Sequence, residues 1–105
     1  MSHTTLQLRR PRRADHTVLE AAGELDLAYA GELRAKLAEA AVPGGRVVVD
    51  LGRVEFLDST ALGVLVAAAK RQRATGGEVV VRSPQPRIRR VFELTGLDRV
   101  FDLAS

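Results

Sequence analysis

Three adjacent polar residues, Asp58, Ser59 and Thr60, interrupt an otherwise apolar stretch that runs from Phe56 to Gly63. Two kinds of chemistry suit such a cluster at the start of a helix. Short polar side chains accept hydrogen bonds from the free N–H groups of a first helical turn, so capping is the ordinary reading. One cap does not require three such residues. Ser59 stands where the positive end of a helix tolerates an added anion, which makes its hydroxyl a candidate phosphoacceptor. Two further acids, Glu24 and Asp26, can be pictured as a carboxylate pair for acid–base work, although a helix start favours acids without any catalysis.

Other reactive constellations are missing from the sequence. There is no Cys, which removes thiol nucleophiles, cysteine zinc sites and disulfides and fits a reducing cytoplasm. The two histidines, His3 and His16, offer neither a Ser/His/Asp arrangement nor metal-ligand spacing, and Ser59 lacks the G-x-S-x-G elbow. The pairs Gly44-Gly45 and Gly76-Gly77 precede β-branched runs, whereas a phosphate-binding loop follows a strand and opens a helix. The expectation is a binding protein with no catalytic residues, no metal and no cofactor.

The elements that must position Ser59 can be read from an internal echo. Gly44-Gly45-Arg46-Val47-Val48-Val49-Asp50 and Gly76-Gly77-Glu78-Val79-Val80-Val81-Arg82 each place a Gly pair before three valines. Each reads as a turn followed by a strand covered on both faces, over 46–50 and 78–82. Between them, 61–75 is apolar on nearly every side before Lys70, the pattern of a largely buried helix. Strand, helix, strand implies a right-handed parallel crossover. The same unit precedes it: 17–22 reads as a strand, and Ala30, Leu33, Leu37, Ala40 and Ala41 recur at helical spacing. Pro86 can open a third helix with Ile88, Val91 and Phe92 inward and Gly96 closing it, followed by a short strand over 100–103. A first strand over 6–10 pairs antiparallel with the next through a turn between Pro11 and His16. The fold class expected is therefore α/β in a single domain over 1–105, one mixed sheet of about five strands in the order ββαβαβαβ.

That order has a corollary for chemistry. The connections over 23–27, 52–59 and 83–85 all leave the carboxyl ends of parallel strands, where open α/β sheets build their sites. Glu24, Asp26, Asp58 and Ser59 are accordingly expected to be neighbours.

Composition narrows the partners. The chain has 105 residues, 46% of them hydrophobic and 28% charged, with a net charge of +3. Arg9, Arg10, Arg12 and Arg13 give the first thirteen residues +4 with no acid, so the remainder carries −1. The basicity belongs to one end and, with Arg87, Arg89 and Arg90, could be taken for a nucleic-acid surface. Only four aromatics and no reading motif accompany it, so solvated arginines are expected and no nucleic acid. The longest apolar run lacking Gly, from Val64 to Ala69, falls short of the ~20 residues a membrane helix needs. No membrane contact is expected, and the cytoplasm is the expected location.

Four motifs in order, Gly23-Glu24-Leu25-Asp26, Val47-Val48-Val49-Asp50-Leu51, Phe56-Leu57-Asp58-Ser59-Thr60 and Arg89-Arg90-Val91-Phe92-Glu93-Leu94-Thr95-Gly96-Leu97, resemble the STAS domain of bacterial anti-sigma-factor antagonists. The resemblance spans about residues 4–103. It implies the STAS fold and a partner-switching role: the unphosphorylated protein binds an anti-sigma factor with serine kinase activity, releasing a sigma factor. Phosphorylation on the serine after the motif Asp, here Ser59, switches binding off, and a PP2C-type phosphatase reverses it. The implied partner surface is Glu24, Asp26, Asp58, Ser59, Thr60, Ala61 and Gly63. A phosphate adds about −1.5 to −2 charges beside Asp58. A partner carboxylate ~5 Å away is then repelled by roughly 3 kcal/mol per unit charge at an effective dielectric near 20. Ala61 stands where the family commonly has Gly; a helical position accepts Ala and gains roughly 0.5–1 kcal/mol over Gly, which leaves open only whether a kinase backbone approaches there as closely. The competing reading keeps the fold but makes the chain a STAS subunit of a lipid-transport or stress-sensing assembly, with Ser59 only a cap.

Overall fold

The structure, a computed structural model, describes residues 3–11 and 15–104. Its elements are β1 (Thr5–Arg9), β2 (His16–Leu25), a 3-10 turn (Leu27–Tyr29), α1 (Ala30–Ala40), β3 (Arg46–Leu57), α2 (Ser59–Ala74), β4 (Glu78–Arg82), α3 (Pro86–Leu94), a second 3-10 turn (Leu97–Arg99) and β5 (Asp102–Ala104). One sheet holds all five strands in the order β1-β2-β3-β4-β5, with β1 antiparallel to β2 and every other pair parallel. The expected ββαβαβαβ order is the observed one. The turn expected between Pro11 and His16 lies partly outside the described residues, as do Arg12 and Arg13.

The valine echo becomes geometry. Val47, Val48 and Val49 pair in register with Val79, Val80 and Val81. The Gly pairs stack beneath them, because the Glu78 amide donates to the Gly45 carbonyl at 2.9 Å. A Cβ on Gly77 would collide with that same Gly45 oxygen, so the two turns fit together only without side chains. Gln72, buried in α2, donates to the Gly45 carbonyl at 3.0 Å and also to that of Val42, tying the helix to the turn.

Coverage of the sheet differs from expectation. Every buried apolar side chain of α1, α2 and α3 belongs to one cluster with Leu19, Val47, Val49, Val79 and Val81. Val18, Val48 and Val80, which point the other way, form a separate cluster with only Ala104 against it. Helices therefore cover one face, not two. The valines of the other face stay buried because neighbouring rows carry the ion pairs Arg46–Glu78 and Arg82–Asp50, both at 2.9 Å, and long charged side chains shield apolar surface with their stems. Within α3, Ile88 and Phe92 are buried as expected while Val91 is half-buried, and Phe92 stacks on Phe101 at 5.3 Å. Gly96 closes the helix with φ +75°.

The largest departure concerns β3. It runs to Leu57 rather than stopping near Asp50, and β2 runs with it to Leu25. Alternation fails as a guide because the register slips twice, from Glu20↔Asp50 to Ala22↔Arg53 and from Gly23↔Val54 to Glu24↔Phe56. Each bulge adds a residue to β3 and reverses the face that follows. Leu51, Val54 and Leu57 consequently all point into the core, at a spacing of three.

Candidate functional site

This extension decides where the site lies. β4 ends opposite Asp50, so the last seven residues of β3 reach beyond it beside β2 alone. At ~3.3 Å per residue that is about 20 Å of strand. Of the three connections expected at one edge, the first two meet at this tip. The third, over 83–85, stays at the level of Gly52, whose carbonyl accepts from the Gln85 side chain at 3.3 Å. The site is built by β2, β3 and the helices that follow them.

Asp58 is the centre of the construction. One carboxylate oxygen accepts from the Ala61 amide at 2.9 Å, capping α2; the other accepts from the Leu27 amide at 2.9 Å. Its own amide donates to the Leu25 carbonyl at 3.0 Å. Asp58 thus staples the start of α2 to the turn after β2, and both of its oxygens are used inside the chain. Asp26 caps that turn by accepting from the Ala28 amide at 3.0 Å. Glu24, exposed, is held by its backbone: Thr4 Oγ1 accepts from the Glu24 amide at 3.1 Å and donates to its carbonyl at 2.9 Å. The His3–Thr4 backbone approaches so closely that Gly23, with φ +91°, has no room for a Cβ.

Ser59 is the first residue of α2 and is exposed, and its hydroxyl has no hydrogen-bond partner among the described residues. Thr60 and Gly63 are exposed on the same helix. Ala61 departs from the surface set, being wholly buried, so its methyl faces the core and does not obstruct an approaching chain. Two residues that the sequence reading passed over belong here. Leu27 is 71% exposed and Phe56 46%, and Phe56 pairs in register with Glu24. In sequence both sit in short alternations, Glu24-Leu25-Asp26-Leu27 and Arg53-Val54-Glu55-Phe56, which read as inward-facing apolar residues and so do not single them out.

The charge of the tip is mostly acidic: over residues 21–33 and 51–69, Glu24, Asp26, Glu32, Glu55 and Asp58 stand against Arg53 alone. At the other end of the chain, Arg9 pairs with Glu20 at 2.9 Å and Arg10 donates to the Glu39 carbonyl near the end of α1 at 2.7 Å. These two arginines are occupied by the fold. Among the described residues, no helix is long and apolar enough to cross a membrane and no group of acids and histidines could hold a metal.

A family model described as "Mlab, STAS domain" matches residues 8–104. An anti-sigma-B factor antagonist of Listeria monocytogenes is 36% identical over 97 residues, covering 91% of this chain and 85% of that one. The anti-sigma-B factor antagonist of Bacillus subtilis is 36% identical over 84 residues, covering 80% and 77%. This chain belongs to the STAS-domain family of anti-sigma-factor antagonists. The solved structure of the unphosphorylated antagonist SpoIIAA superposes on this STAS chain with a TM-score of 0.77 at 26% identity, covering 96% of this chain and 89% of that one. SpoIIAA in its phosphorylated form superposes with a TM-score of 0.74 at the same identity, covering 96% and 92%. Both forms of SpoIIAA thus share the fold of this STAS domain.

Proposed function

We propose that this protein is an anti-sigma-factor antagonist: a regulatory binding protein, not an enzyme, that captures an anti-sigma factor with serine kinase activity and so frees a sigma factor. Phosphorylation of Ser59 by that kinase ends the capture, and a PP2C-type phosphatase restores it. The observation that carries the reading is the division of labour at the start of α2. Asp58 already caps the helix, while the adjacent Ser59 hydroxyl is exposed and has no partner among the described residues. A serine kept only as a cap would be engaged where Asp58 is.

The geometry also supports a switch that leaves the fold alone. A phosphate on Ser59 sits at the positive end of α2, where an anion is tolerated. It adds bulk and charge on an exposed edge whose exposed side chains include Glu24 and Thr60. A partner seated there loses contact and meets a dianion.

The test is incubation with the anti-sigma serine kinases of the same genome and ATP. The expected outcome is a complex with one of them, phosphate transfer lost in Ser59→Ala, and release of the phosphorylated protein with an unchanged far-UV spectrum. Neither complex nor transfer with any kinase would reject the reading. The alternative is a STAS subunit of a lipid-transport or stress-sensing assembly in which Ser59 is only a cap, and the match to a STAS-domain model leaves the assembly open. It requires Ser59→Ala to behave as the unaltered protein in cells.

A further inference from the structure

Among the described residues three large apolar side chains are prominently exposed, Leu27, Phe56 and Leu94, and the first two lie in the segments that frame Asp58, the residue before Ser59. A single exposed leucine needs no explanation, but here the chain spends structure on holding both in place. Leu27 opens the 3-10 turn that Asp26 caps, and its amide is fixed to Asp58 at 2.9 Å, one residue from Ser59. Phe56 lies on the strand extension that lifts the site clear of β4, two residues before Asp58 and opposite Glu24. Neither position is left to a loose loop. Apolar groups held in advance lose little freedom on binding, which is what makes such residues effective anchors.

We infer that Leu27 and Phe56 are the apolar anchors of the partner contact, entering a socket on the anti-sigma factor that is apolar at its centre and rimmed by lysine or arginine. The rim follows from charge complementarity: Glu24 pairs in register with Phe56, Asp26 and Glu55 adjoin the anchors in sequence, and Arg53 is the one base in the segments over 21–33 and 51–69. That acidity repels lipid headgroup and nucleic-acid phosphates, leaving a protein as the occupant. The inference rests on the antagonist reading and adds to it the means of attachment. It also gives the switch a second source of strength: a phosphate on Ser59 would have to shed water in an apolar contact, and that cost persists when salt screens charges.

The experiment is titration calorimetry of Leu27→Ala, Phe56→Ala and Leu94→Ala against the anti-sigma kinase that binds the unaltered protein, with thermal melts of each. Leu27→Ala and Phe56→Ala are each expected to weaken binding about tenfold or more with melting nearly unchanged, the size of effect typical of anchor residues. Leu94, 74% exposed on α3 among Arg87, Arg89 and Arg90, is the control and should bind as before. Phe56→Leu keeps an apolar side chain and should recover most of the affinity, and unchanged melting of Phe56→Ala excludes misfolding as the cause of its loss. The Ser59-phosphorylated protein should remain unable to bind at 0.5 M salt. Unchanged binding by both alanine variants, or loss in Leu94→Ala instead, overturns the anchors while leaving the antagonist function standing. Failure of the unaltered protein to bind any kinase overturns the function and the anchors together.

Discussion

At the base of the sheet, where β3 and β4 begin, backbone lies against backbone: the Gly45 carbonyl accepts from the Glu78 amide at 2.9 Å and from Gln72 at 3.0 Å. The Gly44 amide donates to Thr75 Oγ1 at 3.0 Å, and Thr17 Oγ1 donates to the Ala40 carbonyl at 2.6 Å. At the tip, where β2 and β3 end, the same chain leaves a serine hydroxyl exposed, two large apolar side chains in water and Gly63 with open space where a Cβ would be. The base satisfies these polar groups internally, and neither Gly45 nor Gly77 has room for a Cβ. The tip has spare contact capacity, and the one residue there that is fully committed, Asp58, is the staple that keeps the tip in shape. Substitutions at the base should therefore register in stability, and substitutions at the tip in binding.

The largest expected effect is at the base. Gly77→Ala places a methyl against the Gly45 carbonyl and the Gln72 amide, so backbone must move. A loss of about 3 kcal/mol is expected, at the upper end for overpacking, which for a domain of this size lowers the melting point by roughly 10 °C or more. A differential scanning melt checks it. A shift under 2 °C would mean that the close packing of the two glycine turns is not what closes the base.

Asp58 tests the boundary between the regions, because it serves the fold from within the site. Asp58→Ala removes the cap of α2 and strands the Leu27 amide, a combined loss of about 2 kcal/mol. Asp58→Asn keeps one acceptor for the cap but turns an amide NH2 toward the Leu27 N–H, so it should still cost about half of that or more. Urea melts of the two variants separate the cases. If Asn were as damaging as Ala, the bond to the Leu27 amide, which Asn cannot accept while it caps α2, would be the one that holds the tip.

The sequence was most informative where a pattern repeats without interruption. The echo of 44–50 in 76–82 located two strands and their parallel crossover; the structure adds that they are neighbours whose valine runs pair in register. It failed where the backbone itself changes phase. Arg53-Val54-Glu55-Phe56 does alternate, but two bulges turn β3 between Asp50 and Leu57, so Val54 and Leu57 are buried while Phe56 is exposed, and the stretch over 52–59 was read as a connection. That one omission displaced the site: the tip rises above β4, the 83–85 connection drops out of it, and Phe56 comes to the surface as part of it. The acids and Ser59 were legible because a helix start announces itself by residue type. Which of those polar side chains is free and which is spent was not, since Asp58 accepts from residues three positions ahead and thirty-one behind, and only the second of these bonds is invisible from local sequence.

The smallest expected effect carries the opposite sign and divides the two regions most sharply. Gly63 lies inside α2, is exposed, and would meet nothing within 4 Å if it carried a Cβ. Inside a helix Gly costs about 0.5–1 kcal/mol relative to Ala, so the fold by itself would be better served by alanine. Gly63→Ala should accordingly raise the melting point by roughly 3–5 °C, in contrast to the same substitution at Gly77. Binding should move the other way, weakening a few-fold, because a methyl at this point stands between α2 and a partner that reaches Ser59 one helical turn away. A rise in stability with undiminished affinity would confine the contact to the turn after β2 and the end of β3, the side of the tip that holds Leu27 and Phe56. A fall in stability would instead mean that the space beside Gly63 is closed in solution, and that the tip is packed as tightly as the base.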